Sequence, residues 1–403
     1  MARIVFFLID GFSDKPQKNT PLRLAKKDFL EKLLKEKSLS LYRFLPLEKN
    51  YWPKLGQRSV TGLANLGILG YKIKPEKFKR GPFEALGSDH VEYKEGDLAL
   101  RVDFSYVNEN LIVLDRRAGR NSYGLAKLSE EVNNLKFEVP FRFYHTYGHR
   151  GVLIFKKNLS EKISDSDPYE KNKKVKKIKP LSKDKKSIYT AKVLWKFLLL
   201  THEILKKSFI NKEREKRGFV PANFLLTREA GNKLPKLKNF FKINKIKNGL
   251  VIAENGALKG GCKLVGFDTL TLPEIEKLQK RYKFYFEKIL ENLKNYELIY
   301  IHIKEADEAS HDRDFQKKKE FFEFFDNWFK NLFLEIKKKE DPIFVITGDH
   351  ITDTKTGKHL WGPLPLILIK SKEAKNEPKE ISELESLNFP LIKPQNLWKM
   401  LKE

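Results

Sequence analysis

The 403-residue sequence holds one cysteine, Cys262, so no disulfide can close within the chain and no thiolate cluster can hold a metal. Any metal site has to be built from carboxylates and imidazoles. Long apolar runs are missing too, since none approaches the ~20 residues of a membrane-spanning helix. The apolar stretch in the opening MARIVFFLIDGF is too short for a signal segment and has no small-residue cleavage site, which sets the expectation of a cytoplasmic protein. Negative charge is the third scarcity: 53 Asp and Glu stand against 80 Lys and Arg, a formal net charge of +27. With 40% hydrophobic residues the chain can still build a core, so wholesale disorder is excluded, and its length suits two or three domains.

Part of the basic excess is local. Residues 171–186, KNKKVKKIKPLSKDKK, hold nine lysines and read as a solvated loop or mobile arm. Such an excess is ordinary in heat-adapted proteins, and a field that attracts anionic substrates is the other reading. The stretch has no interleaved aromatics and the chain no zinc-finger or RNA-recognition signature, so nucleic acid is not an expected partner.

The run Arg3 to Ile9, closed by Asp10-Gly11, predicts a strand buried on both faces. Further strands are expected at Leu298 to Ile303, Ile343 to Ile346 and Leu364 to Ile369, with a helix at Phe315 to Ile336 whose aromatic stripe (Phe321, Phe325, Trp328, Phe329) reads as core. Helices between short apolar strands imply an α/β fold with a doubly wound, mostly parallel sheet, and sites beyond the carboxyl ends of its strands. The middle of the chain differs. Short strand-like runs (Leu98 to Phe104, Leu111 to Leu114, Val152 to Phe155) precede an amphipathic helix at about Tyr189 to Phe209. Residues 92–247 are therefore expected to form a smaller inserted α+β domain, with 1–91 and 248–403 as the larger, discontinuous domain.

Oxygen and imidazole ligands fall where these strands end. Asp10 ends the first, Asp307 and His311 follow the second, Asp349 and His350 end the third, and His359 lies in the loop beyond. The Asp307/His311 spacing puts both side chains on one helical face. Six such ligands suffice for two divalent ions, and oxygen mixed with nitrogen suits Mn²⁺, Zn²⁺, Co²⁺ or Mg²⁺. Two ions ~4 Å apart suit phosphoryl transfer. A nucleophile is then needed, and Ser59 and Thr61, just before a helix-like run, both offer a hydroxyl where the helix dipole favours negative charge. Either could instead be an N-cap.

These residues resemble the archaeal-type cofactor-independent phosphoglycerate mutases of the alkaline phosphatase superfamily. The resemblance runs nearly end to end: Asp10-Gly11 with Asn19-Thr20-Pro21-Leu22, Leu69-Gly70-Tyr71, the segment Gly81 to Gly87, Asp115-Arg116-Arg117-Ala118-Gly119-Arg120, Ile163 to Pro168, Pro221-Ala222-Asn223, His302-Ile303-Lys304 with Asp307 and His311, Gly348-Asp349-His350, and His359. It implies that Asp307, His311 and His359 hold one metal, and that Asp10, Asp349, His350 and the nucleophile hold the other. The family usually shows Pro-Gly-Ser-Asp, with the serine nine residues before the Gly of Leu-Gly-Tyr; that position is Thr61 here, followed by Gly62 rather than an acid. Two further motifs depart: Asp97-Leu98-Ala99-Leu100-Arg101-Val102-Asp103, and Asp167-Pro168-Tyr169 where Asp-Pro-His is usual.

The implied reaction interconverts 3-phosphoglycerate and 2-phosphoglycerate without bisphosphoglycerate, through phosphothreonine at Thr61, with two divalent ions, Mn²⁺ foremost. Arg117, Arg120 and Arg150 are the expected grip on carboxylate and phosphate, because guanidinium forks bind both bidentately. Arg101, Lys259 and Arg228 are further candidates, and Asp167 or Asp165 is the candidate general base. Closure of the inserted domain would keep water from the phosphoenzyme. A phosphatase or other phosphomutase on the same scaffold, or a weakly catalytic binding protein, are the alternative readings.

Overall fold

The computed structural model describes residues 3–52, 60–370 and 374–402. The chain forms two compact units, one of Met1–Lys77, Leu237–Glu254 and Cys262–Glu403, the other of Phe78–Lys236 and Asn255–Gly261. These limits differ from the expected 91/92 and 247/248. Helix Arg80–Leu86 goes with the second unit because Gly81 lies so close to the Ala99 carbonyl that a Cβ there would come within 2.1 Å of it. Helix Phe240–Asn244 goes with the first, its Phe240 packed edge-on against Trp398 and tilted against Phe267.

The first unit is built on an eight-stranded sheet, in the order Leu391–Ile392, Leu39–Phe44, Leu364–Ile369, Ile343–Thr347, Ile4–Ile9, Leu298–Ile303, Gly249–Ala253, Asp268–Thr271. Only Leu364–Ile369 runs against the others, pairing antiparallel on both sides. Ile4–Ile9 (IVFFLI) is buried along its whole length. Its side chains alternate between two covered faces: Phe7 meets Phe325, Trp328 and Phe329 edge-on, whereas Phe6 stacks on Tyr300 and Trp398. The expected aromatic stripe is core. Helix Phe315–Lys337, capped by Asp314 accepting from the Lys317 N–H, buries Phe321, Phe325, Trp328, Phe329 and Leu332. Neighbouring strands in register then bring Asp10, the loop after Leu298–Ile303 and the loop after Ile343–Thr347 to one edge.

The second unit is α+β. Strands Val113–Asp115, Leu98–Val107, Arg150–Phe155 and Phe141–Tyr147 lie in that order, and Phe224–Gly231 pairs with Leu98–Val107. All pairs are antiparallel. Leu98, Leu100, Val102 and Phe104 face a core shared with helix Lys185–Lys207, so the alternate positions, Arg101 and Asp103 among them, occupy the other face. The lysine-rich segment is pinned rather than free: Lys174 bridges Ile112, Pro180 bridges Ile163, and Val175 and Ile178 are buried, which turns its lysines outward. No described helix is long and apolar enough to cross a membrane.

Candidate metal centre and arginine cluster

Asp10 follows directly on the first strand, and its N–H donates to the Ile303 carbonyl at 2.7 Å, which ties it to the neighbouring strand end. Gly11 then turns with φ +65°, and a Cβ there would lie 2.8 Å from Asp307 Cα. That close approach requires glycine. Helix Glu305–His311 presents Asp307 and His311 on one face, with His311 Nε2 3.3 Å from Asp307 Oδ2. His359, on the short strand Lys358–Leu360, brings its Nε2 within 3.4 Å of Asp307 Oδ1 and 3.1 Å of His311 Nε2. His350 Nε2 lies 3.1 Å from Asp10 Oδ1 and 3.3 Å from Asp349 Oδ2, and the Gly11 N–H reaches Asp349 Oδ1 at 3.3 Å. Two ligand groups result, Asp307/His311/His359 and Asp10/Asp307/His350, joined through Asp307.

Hydrogen bonds at the far side of each ring set the tautomers. Nδ1 of His311 faces the Gly357 carbonyl at 2.9 Å, so it carries the proton and leaves Nε2 a lone pair. The Thr352 hydroxyl donates to Asp307 Oδ1 at 2.7 Å and sits 3.0 Å from His350 Nδ1, so that nitrogen donates and His350 Nε2 is turned toward Asp10 and Asp349. Among the described residues, Asp10 Oδ1, Asp349 Oδ2 and His302 Nε2 are buried without a well-directed hydrogen bond. Burial and the Asp10 carboxylate push Asp349 up to about 8, whereas His311 and His359 outweigh burial and hold Asp307 well below its usual range. Burial opposes the charged form of His350, but Asp349 and Asp10 outweigh it and raise its pKa, so a cation belongs at that nitrogen. Divalent ions fit this donor set of carboxylate oxygens and imidazole nitrogens.

Thr61 stands in helix Val60–Ile68, its hydroxyl 3.4 Å from His350 Nε2. The other hydroxyl considered, Ser59, lies outside the described residues.

The second unit gathers the opposite charge. Asp103 is fully buried and accepts from Arg101 Nε at 3.1 Å and from Arg228, with His149 Nε2 at 3.5 Å. Arg101 also donates to Glu84 Oε1 at 2.6 Å, and Arg80 reaches the same oxygen at 2.5 Å. Arg116 forks onto both oxygens of Asp167, at 3.0 and 2.6 Å. In this conformation Asp167 anchors Arg116, and acting as a base requires an oxygen released from that pair. Asp165 accepts from the Glu229 N–H and the Tyr169 hydroxyl, both at 2.8 Å. Lys259, fully buried, donates to Asp89 at 2.7 Å and Asn255 at 2.8 Å. Arg101, Arg228 and Lys259 are thus spent on internal pairs. Arg150 lies over the Tyr147 ring at 5.9 Å. Arg117 is pulled down to about 10, by burial first and by Arg120 next, with Asp103 opposing.

The loop bearing Arg117 and Arg120 is strained, with φ +45° at Ala118, +67° at Gly119 and +58° at Arg120. Arg214, fully buried, holds it, donating to the Ala118 carbonyl at 2.9 Å and to the Tyr123 and Asn121 carbonyls. Sequence reasoning missed Arg214, Arg116, His149 and Thr352. Arg116 stands inside a quoted motif, but the others carry no local signal, because only the fold brings them to their partners.

A family model described as 2,3-bisphosphoglycerate-independent phosphoglycerate mutase matches residues 52–211. The enzyme of that name, numbered 1, from Methanocaldococcus jannaschii is 36% identical over 99% of this chain and 96% of its own length. One from Methanococcus maripaludis is 36% identical over 91% of this chain and 88% of its own. The chain belongs to the 2,3-bisphosphoglycerate-independent phosphoglycerate mutase family. Among solved structures, the cofactor-independent phosphoglycerate mutase of Thermoplasma acidophilum matches over 99% of both chains with a TM-score of 0.57 at 26% identity. A protein of Pyrococcus horikoshii shares the fold with a TM-score of 0.74 at 23% identity, over 99% of this chain and 96% of its own.

Proposed function

We propose that this member of the family interconverts 3-phosphoglycerate and 2-phosphoglycerate without 2,3-bisphosphoglycerate, with Thr61 carrying the phosphoryl group between the two oxygens. The observation that carries the reading is the Thr61 hydroxyl 3.4 Å from His350 Nε2, beside buried carboxylates that call for cations. Asp307, His311 and His359 are assigned to one divalent ion, and Asp10, Asp349, His350 and Thr61 to a second, Mn²⁺ foremost. Such ions, when bound, neutralise the charge of the transferring phosphoryl group and favour the ionised form of a hydroxyl.

Thr61 Oγ1 attacks phosphorus in line and loses its proton; the bond from phosphorus to the glycerate oxygen breaks, and that oxygen takes up a proton. The other glycerate hydroxyl then attacks phosphothreonine, giving up its proton and restoring Thr61. Arg117, Arg120 and Arg150 are assigned to the carboxylate and phosphate of the substrate, and Asp167, once free of Arg116, to the glycerate hydroxyl proton. The test is phosphorus NMR of the Mn²⁺-loaded protein with 3-phosphoglycerate and no bisphosphoglycerate. A 2-phosphoglycerate resonance is expected; inorganic phosphate alone would replace the reading with a phosphatase, and an unchanged spectrum would overturn it.

A further inference from the structure

Helix Phe315–Lys337 carries, one turn from its start, a lysine with no exposed surface. Lys318 Nζ donates to Asp14 Oδ2 at 2.7 Å and to the Thr352 carbonyl at 3.1 Å. Asp14 is also buried, and its other oxygen accepts from the Thr354 N–H at 2.6 Å. The Asp14 N–H donates to Glu383 at 3.0 Å, and Glu383 accepts from the Thr20 hydroxyl at 2.6 Å. One ammonium thus touches two loops at once. Asp14 ends the turn that begins at Asp10. Thr352 is two residues beyond His350, its N–H donates to the Ser13 carbonyl at 3.0 Å, and its hydroxyl donates to Asp307. The helix bearing Lys318 follows directly on the one that presents Asp307 and His311.

A buried ion pair is a poor device for stability alone, because the desolvation of both charges offsets most of their attraction and an apolar pair of similar size often does as well. What the pair adds is fixed geometry, since an ammonium with two oxygen acceptors holds them at hydrogen-bond distance. Here those acceptors belong to the two segments that hold Asp10 and His350. We propose that Lys318 and Asp14 form a positioning pair for the metal centre, clamping the Asp10–Asp14 turn to the strand Ile351–Asp353 so that the Asp10, Asp307 and His350 donor atoms keep their spacing. The inference rests on the reading of these residues as metal ligands. Neither residue touches the reacting atoms, and their effect passes through Thr352 and the turn.

The test titrates Mn²⁺ and Co²⁺ into metal-stripped protein by calorimetry and follows the visible spectrum of the Co²⁺ form. Failure of the wild-type chain to bind either ion would overturn the metal reading and this inference with it. If the wild type binds, Lys318→Met is expected to raise Kd about 10- to 100-fold for at least one ion, the range seen when partners of metal ligands are lost, and to shift the Co²⁺ bands. Lys318→Arg, which keeps the charge but not its position, should fall between. The double variant Lys318→Met with Asp14→Asn should bind no more weakly than the single one, because the two act as a unit. A folded Lys318→Met protein with a lower melting temperature but an unchanged Kd and spectrum would make the pair merely structural and overturn the inference. If Lys318→Met does not fold, Asp14→Asn and Lys318→Arg carry the test with the same readouts and the same overturning result.

Discussion

The two units solve opposite electrostatic problems. In the first, buried Asp10 and Asp349 and half-buried Asp307 are grouped among imidazoles, a site rich in carboxylate. In the second, Arg80, Arg101, Arg116, Arg117 and Arg228 crowd around Glu84, Asp103 and Asp167, a cluster in which guanidinium exceeds carboxylate. The first wants a cation and the second an anion. Their placement differs in the same way: the acidic ligands sit just past the ends of parallel strands, whereas Arg101, Asp103 and Arg228 sit in mid-strand on one face of an antiparallel sheet. The lesson is about preorganisation. Strand ends deliver single side chains from distant sequence to one point, while a sheet face delivers a patch.

The sharpest test of this division removes the nucleophile. Thr61→Ala is expected to lower turnover by at least ~10³-fold, as loss of a covalent nucleophile does, while Mn²⁺ binding falls far less. Phosphorus NMR and calorimetry on the same preparation check it, and near-normal turnover would break the assignment of chemistry to the first unit. Next in size is Arg117→Ala. Loss of one charged hydrogen-bonding partner is worth about 1.5–3 kcal/mol, so kcat/KM for phosphoglycerate should fall roughly 10- to 150-fold with metal affinity unchanged. Altered metal affinity instead would dissolve the contrast between the two sites.

Legibility followed the same line. The candidate metal ligands could be read because a side chain at a strand end is close in sequence to an apolar run: Asp10 follows one directly, and Asp349 and His350 lie just past another. The parallel sheet could be read from the same runs, although Leu39–Phe44 and Gly249–Ala253 went unforeseen as strands. The arginine cluster was only half visible. Arg101 looked like a substrate ligand, but the fold sets Glu84 and Asp103 against it, and nothing local to Arg101 announces a partner seventeen residues upstream. The tautomer-setting Thr352 was equally hidden, because its meaning depends on Asp307, forty-five residues away.

A third contrast separates the units by pH. Burial works against the Glu84 carboxylate, but Arg80 and Arg101 outweigh it and hold the group at about 2, against 4.5 unperturbed. A depressed folded value means stability that is present above the unfolded pKa and is lost as pH falls toward 2, about 3 kcal/mol in all. Glu383 in the first unit has the opposite sign. Burial raises its pKa, so its contribution is full below the ordinary carboxyl range and is lost as pH rises through the raised value. Denaturant titrations between pH 2.5 and 8 should show the acid-side loss flattened in Glu84→Gln and the loss on raising pH reduced in Glu383→Gln. An unchanged acid slope in Glu84→Gln would remove the buried arginine network as its source.

The smallest difference lies between two glycines of nearly equal backbone angle, Gly11 at φ +65° and Gly119 at φ +67°. Alanine at either incurs the left-handed penalty of roughly 1–2 kcal/mol, so any further difference comes from the neighbours. At Gly119 a Cβ would meet the Val220 side chain, its methyl at 3.0 Å and its Cβ at 3.2 Å, a contact that a shift of a few tenths of an ångström relieves. At Gly11 it would meet Asp307 Cα at 2.8 Å and the Thr352 hydroxyl at 2.9 Å, neither of which can shift without disturbing the Asp307 carboxylate. Gly119→Ala should therefore lower the melting temperature by a few degrees and leave Mn²⁺ affinity alone, whereas Gly11→Ala should weaken Mn²⁺ binding as well. Equal effects of the two substitutions on both readouts would show that the metal centre tolerates displacement of the Asp307 helix, and that its geometry is less tightly held than the arginine loop.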